Sequence, residues 1–294
     1  MFSGFHRLKD MGIMGINSRN LDFIAPHNRR QYYRLVDDKV ITKKTAIEAG
    51  IPVPELFATI EYQEQLKRLG DILAQRSCNQ FVIKPAKGSG GGGIMVIKGR
   101  TAAGYLRANG QVITLPEIQY HISNILGGLY ALGGARDVAI IEQCIENIDL
   151  FDKLAFQGVP DIRLVIYKNT PVMAMLRLPT LASGGRANLH SGGIGVGLSM
   201  DQGMTTNAIL HNQYITHHGD TDAPLLGHIM PDWDQVLDIG VKAAHMAKLG
   251  YVGVDIVLDK HHGPMLLEIN ARPGISIQIA NRQGLKARIS SMGL

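Results

Sequence analysis

The sequence predicts an α+β protein with two subdomains, on the basis of three observations. The 294 residues, of which 45% are hydrophobic, are enough for two domains or for one domain with well-developed subdomains. Segments with helical and with strand periodicity are mixed along the chain, without a linker, a repeat or a low-complexity tract between them. The 34 glycines gather in clusters, which indicates backbone that turns sharply or lies close to a ligand.

The chain begins with a region of weak periodicity. Residues 1–38 are turn-rich, apart from a basic and aromatic stretch at residues 29–36 that predicts a helix, and we interpret them as an N-terminal arm or a reduced subdomain. Residues 37–49 place apolar side chains at helical spacing, and Gly50 with the following IPVP marks the end of that helix. A further helix is predicted at residues 62–76.

A strand, a glycine-rich loop and a second strand follow. QFVIKP predicts a short buried strand that carries Lys84 near its end, and IMVIK at residues 94–98 predicts the returning strand. The loop between them spans residues 87–93.

A helix at residues 115–126 and a buried strand at residues 138–145 complete the predicted central subdomain, residues 39–146.

Strand patterns alternate with glycine-rich sequence in the predicted C-terminal subdomain, residues 147–294. Its predicted elements are the strands IRLVIY and PVMAML, a glycine-rich region at residues 182–198, a helix at residues 233–249, the strands VGVDIVLD and GPMLLEIN with the turn KHHG between them, and a final helix that starts near Gly274.

Composition and charge argue against several classes of protein. The net charge is +5, but the basic residues are scattered, so a nucleic-acid partner is disfavoured and an anionic small molecule or peptide explains the charge equally well. The apolar runs fall short of the roughly 20 residues of a membrane span, and the N-terminus lacks the apolar core of a signal peptide, so we expect a cytoplasmic protein. Cys78 and Cys144 have no nearby ligand cluster, which predicts buried reduced thiols.

The strongest chemical signal lies in the two strands GVDIVLD and LLEIN. Alternate residues of a strand share a face, so Glu268 and Asn270 project together, and Asp255 from the neighbouring strand can meet them. Two carboxylates and an amide oxygen are hard ligands of the kind that hold magnesium beside phosphate oxygens. The alternative is a solvated polar face on an edge strand. The following ARPG turn and the otherwise apolar strand favour the metal site.

Lys84 comes directly before the glycine-rich loop, where its ammonium group could reach phosphates while backbone N–H groups cover them. The sequence GSGGGG is neither a Walker A motif nor a dinucleotide fingerprint, and a plain flexible loop is the alternative. Lys39, on a predicted helix, is weaker evidence because such a lysine is normally solvated.

Taken in order, these residues resemble the ATP-grasp superfamily, most closely the α-L-glutamate ligases, including the enzymes that add glutamate to a ribosomal protein. The resemblance covers about residues 37–274. It rests on four motifs, DIR at 161–163, RANLHSGG at 186–193, GVDI at 253–256 and LEINARPG at 267–274.

The resemblance implies an ATP-grasp fold in which two α+β subdomains clamp ATP, with a shortened N-terminal element. Its metal would be magnesium, with manganese as the alternative, held by Asp255, Glu268 and Asn270. The residues that it assigns to ATP are Lys39 and Lys84 at the phosphates, the loop residues Gly88, Ser89, Gly90 and Gly91, the backbone of Glu142, Gln143, Cys144 and Ile145 at the adenine, Asp161 near the ribose or phosphates, and Arg186 and Asn188 at the triphosphate. Asp149 is a rival to Asp161 for the ribose.

The same resemblance places Arg163 and Arg177 at the reacting centre as the catalytic residues. In this chemistry a carboxylate attacks the γ-phosphate, and an amine then attacks the acylphosphate through a charged intermediate that guanidinium groups stabilise. D-alanine-D-alanine ligases have an arginine where this sequence has Gly253. Each arginine could instead form a structural salt bridge.

The resemblance therefore implies an ATP-dependent ligase that joins glutamate or a related amino acid to a carboxylate acceptor, a small molecule or a peptide. A second subunit or a partner protein could complete the acceptor site, because the N-terminal element is short. The alternatives are a phosphotransferase on the same fold and a non-catalytic nucleotide-binding subunit. His190 is expected to contact substrate, and His217 and His218 are expected at the solvent-exposed surface.

Overall fold

Two antiparallel sheets organise the chain, one in each of two units. The structure is a computed structural model that describes residues 10–75, 79–88 and 90–294. The larger unit comprises Met1–Asp37, Ile41–Val53 and Glu146–Leu294, and the smaller unit comprises Asp38–Val40 and Pro54–Ile145. Each unit combines a sheet with helices, so the predicted α+β class is confirmed. The predicted division at residues 38/39 and 146/147 stays a prediction about domains.

The strands are β1 (Leu56–Ile60), β2 (Phe81–Pro85), β3 (Met95–Thr101), β4 (Gly104–Arg107), β5 (Val112–Ile113), β6 (Ala139–Glu142), β7 (Asp161–Tyr167), β8 (Thr170–Leu178), β9 (Ile194–Leu198), β10 (Thr205–Leu210), β11 (Gln213–Ile215), β12 (Tyr251–Asp259) and β13 (Gly263–Asn270). The longer helices are α1 (Lys39–Glu48), α2 (Leu69–Gln75), α3 (Leu115–Leu126), α4 (Asp149–Leu154), α5 (Trp233–Ala247) and α6 (Leu285–Ser291). Shorter helical segments are Ile16–Ser18, Arg19–Ile24, Ala25–His27, Arg30–Tyr32, Arg34–Asp37, Gln63–Arg68, Leu132–Gly134, Leu189–Ser191 and Ile277–Ala280.

The smaller unit is a six-stranded sheet in the order β1-β6-β2-β3-β4-β5. Its core packs the apolar side of α3 against the sheet, with Ile118 and Ile122 fully buried. Thr114 and Glu117 form a capping box that fixes the start of α3, and the helix has the bounds that the sequence predicts. The predicted strand, glycine loop and strand is also confirmed, because β2 pairs antiparallel with β3 across the loop.

The larger unit is a seven-stranded sheet in the order β11-β10-β9-β8-β7-β12-β13. Helix α5 packs on one face over a large apolar core. Gly240 allows the close approach of this helix, since a Cβ there would lie 2.6 Å from Cδ1 of Leu164. The opposite face carries a second core that includes Val165, Met175 and Tyr251, together with the N-terminal segment and α6.

Buried side-chain amides join the N-terminal segment to the rest of the larger unit. Gln278 accepts the backbone N–H groups of Met14 and Leu285 at 2.7 and 2.8 Å and donates to the Met14 carbonyl at 3.0 Å. Asn28 pairs with the backbone of Tyr251, donating at 2.7 Å and accepting at 2.9 Å. The described residues of the first 37 are thus built into this unit.

Several predicted elements differ from the structure. The helix predicted at residues 62–76 begins as a 3₁₀ segment and continues as α2, and Arg76 lies outside the described residues. The strand predicted at residues 138–145 ends at Glu142. The stretch at residues 29–36 forms two short helical segments, and the helix predicted from Gly274 begins at Ile277.

The strands β1, β4, β5, β9, β10 and β11 and the helix α4 were not predicted from the sequence.

Within the described residues, the structure contains no helix that has both the length and the apolar composition to cross a membrane.

Candidate active site

Four charged side chains form a buried cluster on the sheet of the larger unit. Arg163 donates from Nε and Nη2 to the two carboxylate oxygens of Asp255, the latter bond measuring 2.7 Å. Arg177 donates from Nε and Nη2 to Asp161 at 2.5 and 2.8 Å, and its Nη2 also lies 2.8 Å from Oδ2 of Asp255. The cluster therefore joins residues to which the resemblance gives three separate roles, near the ribose or phosphates, at the reacting centre and at the metal.

Strand register brings these four side chains together. Asp161 lies opposite Arg177 across β7 and β8, and Arg163 lies opposite Asp255 across β7 and β12. Residues paired across antiparallel strands share a face, and so do residues two apart in one strand. Because Asp161 and Arg163 are two apart in β7, all four side chains lie on one face of the sheet.

The ionisation of the cluster follows from its burial. Burial raises the pKa of Asp161 to about 6, against the opposing effect of Arg177, and the nearby Asp255 carboxylate adds to the rise. Burial also acts on Asp255, but Arg163 and Arg177 outweigh it and hold the pKa of Asp255 below its usual value. Burial lowers the pKa of Arg177, but the two carboxylates outweigh it and raise that pKa above its usual value.

The predicted metal ligands lie at the edge of this cluster. Asp255 is directly opposite Glu268 in the β12–β13 pair, and β13 is an edge strand of the sheet. The Asn270 amide donates to Oδ2 of Asp255 at 3.2 Å. The structure thus brings Asp255 into contact with Asn270 and places Glu268 opposite Asp255 on the edge strand.

The donor set fits a magnesium ion. A carboxylate offers about four lone-pair positions. Of the bonds to Asp255 described above, one reaches Oδ1 and three reach Oδ2, so Oδ1 has room for a cation. Rotation of the Asn270 amide would present its oxygen in place of its NH₂ group. Among the described residues, no group of three or more His, Cys, Asp or Glu side chains is arranged to hold a metal. The metal role of these residues stays a prediction.

Gly253 makes room for Arg163. A Cβ at Gly253 would lie 2.7 Å from Cβ of Pro273 and 3.1 Å from Cδ of Arg163. Gly253, the position at which D-alanine-D-alanine ligases have an arginine, thus packs against Arg163. Arg272 is not bonded to the charged cluster in the contacts described above, and its guanidinium lies 4.8 Å from the centre of the Tyr33 ring.

Lys84 forms a buried ion pair with Glu142 in the smaller unit. Both residues are buried, and they lie on the neighbouring strands β2 and β6. The resemblance assigns Lys84 to phosphates and only the backbone of Glu142 to adenine, so this side-chain pairing was not predicted.

The glycine-rich loop contacts Lys39. The Nζ atom of Lys39 donates a hydrogen bond to the carbonyl oxygen of Gly88 at 2.7 Å. Gly90 and Gly91 have φ values of 62° and 78°, in the left-handed region that favours glycine. Gly93 packs so closely on the Tyr130 ring that a Cβ would lie 2.6 Å from it. Ser89 lies outside the described residues. The structure thus places Lys39 against the loop, and the phosphate role of both stays a prediction.

The segment assigned to the adenine runs on from β6. The Gln143 N–H donates to the carbonyl of Glu55 at 2.9 Å, and the Gln143 side chain accepts the Glu55 N–H at 3.1 Å. Cys144 and Ile145 are buried. The prediction of a buried thiol is confirmed for Cys144, and Cys78 lies outside the described residues.

Arg186 and Asn188 lie in the loop before β9. Arg186 is exposed, whereas Asn188 is half-buried and its side chain accepts the His190 N–H at 3.0 Å. Asp149, the rival of Asp161, is instead an exposed residue of α4 that pairs with Lys260 at 2.7 Å.

The prediction that His218 is solvent-exposed is wrong. His218 is buried, with Nε2 3.0 Å from the carbonyl oxygen of Pro179 and Nδ1 accepting the Asp220 N–H at 3.1 Å. The polar residues around it suggested a surface loop, but the ring links two segments of the chain. His217 is exposed, as predicted.

Comparison with known proteins gives the family. A family model described as sugar-transfer associated ATP-grasp matches residues 18–293. No protein of curated function matches the sequence significantly. Among solved structures, the D-Ala:D-Ser ligase VanG from Enterococcus faecalis is similar with a TM-score of 0.50 and 14% identity, over 90% of this chain and 62% of that one. The RimK domain ATP-grasp protein from Sphaerobacter thermophilus has a TM-score of 0.48 and 16% identity, over 90% of this chain and 70% of that one.

The ATP-grasp ligase PsnB, in complex with a minimal precursor, is also similar, with a TM-score of 0.47 and 13% identity. The match covers 90% of this chain and 61% of PsnB, so the chain spans less than two thirds of the length of that protein. At 14% identity and a TM-score of 0.50, the likeness to VanG concerns the fold alone. Since the family model matches most of the sequence, the chain belongs to the sugar-transfer associated ATP-grasp family.

Proposed function

We propose that the chain is a ligase that uses ATP and magnesium to join a carboxylate to an amine through an acylphosphate. The observation that carries the proposal is the buried cluster of Asp161, Arg163, Arg177 and Asp255, with Asn270 bonded to it. A cluster that contains two arginines held by carboxylates can position an anionic substrate and stabilise charge that develops on it.

The two arginines keep donors for that task. A guanidinium group has five N–H donors, and Asp161 and Asp255 account for bonds from only Nε and Nη2 of Arg177. The N–H groups of Nη1 can therefore orient the substrate carboxylate and later stabilise the oxyanion of the tetrahedral intermediate. The carboxylates hold each guanidinium in one orientation, so little reorganisation is needed during the reaction.

The metal ligands are assigned to Asp255, Glu268 and Asn270. Magnesium bound there would offset the charge of the triphosphate during phosphoryl transfer. Asp255 then has a double task, because it also bonds Arg163.

The smaller unit is assigned to ATP. Lys84, which pairs with Glu142, and Lys39, bonded to the glycine loop, would bind phosphates, and the loop N–H groups would add donors. The segment Glu142–Ile145 would bind the adenine through its backbone.

The amine donor is proposed to be glutamate or a related amino acid, on the resemblance of the motifs. The fold shared with a D-Ala:D-Ser ligase is compatible with an amino acid as a substrate. The acceptor is a carboxylate on a small molecule or a peptide.

The test is a screen of amino acids and carboxylates for ADP release, with mass detection of the product. We expect one pair of substrates to release ADP together with an amide product, and Glu268→Gln to abolish that release. Glu117→Gln, at the exposed cap of α3, is the matched control and should retain activity. Phosphorylation of an alcohol, with no amide from any pair, would refute the proposal.

A further inference from the structure

A cavity of about 360 Å³ lies in the larger unit, beside the loop that precedes β9. Its apolar lining comes from Leu189 and Ile209, and its polar lining comes from His190, His211, Asn212 and Ser276. None of these residues is assigned above to ATP or to the metal. At the lower end of the roughly 300–1,000 Å³ of small-molecule pockets, the cavity suits a single small group rather than a polymer.

The cavity lies on the same face of the sheet as the charged cluster. Arg177 is opposite Gly195 across β8 and β9, and Gly195 is opposite Ile209 across β9 and β10. Neighbouring strands are about 4.8 Å apart, so Ile209 lies about 10 Å from Arg177 across the sheet. Leu189 packs over Gly195, because a Cβ added to Gly195 would lie 2.9 Å from Cδ2 of Leu189. A ligand that extends about 10 Å across this face, past Leu189, would reach from the cavity to Arg177.

The polar lining is held in place by local structure. His211 and Asn212 have φ values of 48° and 65°, the two left-handed positions of a tight turn between β10 and β11. Ser276 begins the short helix Ile277–Ala280, and His190 lies in the 3₁₀ turn capped by Asn188. These groups therefore need little ordering when a ligand binds.

Among the residues that the structure describes, the lining contains no Asp, Glu, Lys or Arg. A zwitterionic amino acid would leave its ammonium and carboxylate groups without charged partners here, which is unfavourable in a concave site. A hydroxyl, an amide and two imidazoles offer both donors and acceptors, and the apolar floor can pack against C–H groups. This combination fits an uncharged ligand body that carries several hydroxyl groups.

We infer that this cavity binds the hydroxyl-bearing, sugar-like body of the acceptor, with its carboxylate extended toward Arg177. The position of the carboxylate rests on the proposed function, whereas the binding of the hydroxylated body rests on the cavity alone.

The experiment measures binding of D-glucuronate by ligand-observed NMR, with D-glucose and L-glutamate as competitors. Asn212→Gly removes the amide from the cavity, and glycine tolerates the left-handed backbone at that position. Asn169→Gly is the matched control, because Asn169 occupies a left-handed position, with φ of 60°, in the turn between β7 and β8. Ser276→Phe fills the cavity.

We expect D-glucuronate to bind saturably and D-glucose to compete, whereas L-glutamate does not. Asn212→Gly should weaken binding about tenfold, the loss of one good hydrogen bond, Ser276→Phe should abolish it, and Asn169→Gly should leave it unchanged. Absence of sugar binding, or binding that Ser276→Phe does not alter, would overturn the inference. L-glutamate binding that Asn212→Gly weakens would also overturn it.

Binding of a fluorescent ATP analogue to the same variants separates this inference from the proposed function. A wild-type protein that binds the ATP analogue but not D-glucuronate would count against the cavity assignment alone. A wild-type protein that binds the sugar but not ATP would leave the cavity assignment standing and count against the ligase.

Discussion

Replacing Gly253 with alanine is expected to displace Arg163 and so disable the charged cluster. The new Cβ would lie 2.7 Å from Cβ of Pro273 and 3.1 Å from Cδ of Arg163, whereas carbon atoms in contact are about 3.5–4.0 Å apart. The 2.7 Å overlap forces a local shift of the backbone because the ring of Pro273 is rigid, and the 3.1 Å contact displaces the flexible Arg163 by somewhat less than about 1 Å. Such overpacking costs about 1–3 kcal/mol, and a shift of about 1 Å at a reacting group costs about 10²-fold in rate.

Urea unfolding and amide formation with the substrates found by the screen measure these two effects. A loss of about 1–3 kcal/mol leaves most of a typical unfolding free energy of about 5–15 kcal/mol, so the variant should fold. Gly219→Ala is the control, because no atom lies within 4 Å of its added Cβ and both changes add one methyl group. A Gly253→Ala variant with wild-type activity would show that the orientation of Arg163 is not needed for the reaction.

Three further predictions follow from buried polar groups. Lys84→Met should lower the free energy of unfolding by about 3–5 kcal/mol, because it leaves the Glu142 carboxylate buried without its ammonium partner. Adding Glu142→Leu should recover most of that loss in urea unfolding. A double variant no more stable than Lys84→Met would contradict the pairing. The stability of the wild type relative to Asp161→Asn should fall as the pH rises from 4 to 6, because the raised pKa lets the folded state keep a proton that the unfolded state has lost; a rise would mean that the arginine depresses this pKa. Gln278→Leu should cost about 2 kcal/mol or more by leaving backbone N–H groups unsatisfied, while Gln283→Leu, at an exposed position, should be nearly neutral in the same urea unfolding.

The sequence is most informative where local signals agree. Helix α3 has a capping box at its start and an apolar stripe, and its predicted bounds match the structure. The β12–β13 hairpin was also predicted, because two apolar strands flank a short polar turn. In both cases, the residues that decide the structure are close together in the sequence.

Strand β9 shows why some elements escaped prediction. GIGVGL reads as a loop because glycine has a low preference for strands. In the structure, its glycines are sites of close packing, and a Cβ at Gly197 would lie 2.5 Å from the carbonyl oxygen of Ala280. The partner in that contact is more than 80 residues away in the sequence, so no local pattern could reveal it.

The charged cluster was predicted in its members but not in its connections. Asp161 and Arg163 alternate within DIR, and this spacing of two residues could have placed both on one face of β7. The pairing of Asp161 with Arg177, by contrast, depends on the register of β7 and β8, which the sequence does not determine by itself.

The most direct test of carboxylate activation is trapping of the acylphosphate with hydroxylamine. The protein is incubated with ATP, magnesium and the carboxylate acceptor, without the amine, and the hydroxamate is detected by mass. We predict a hydroxamate that forms only with ATP and whose formation is lost in Arg177→Lys, where the two-pronged contact with Asp161 cannot form. ATP consumption that yields a phosphate ester and no hydroxamate would contradict carboxylate activation and favour phosphoryl transfer to a hydroxyl group.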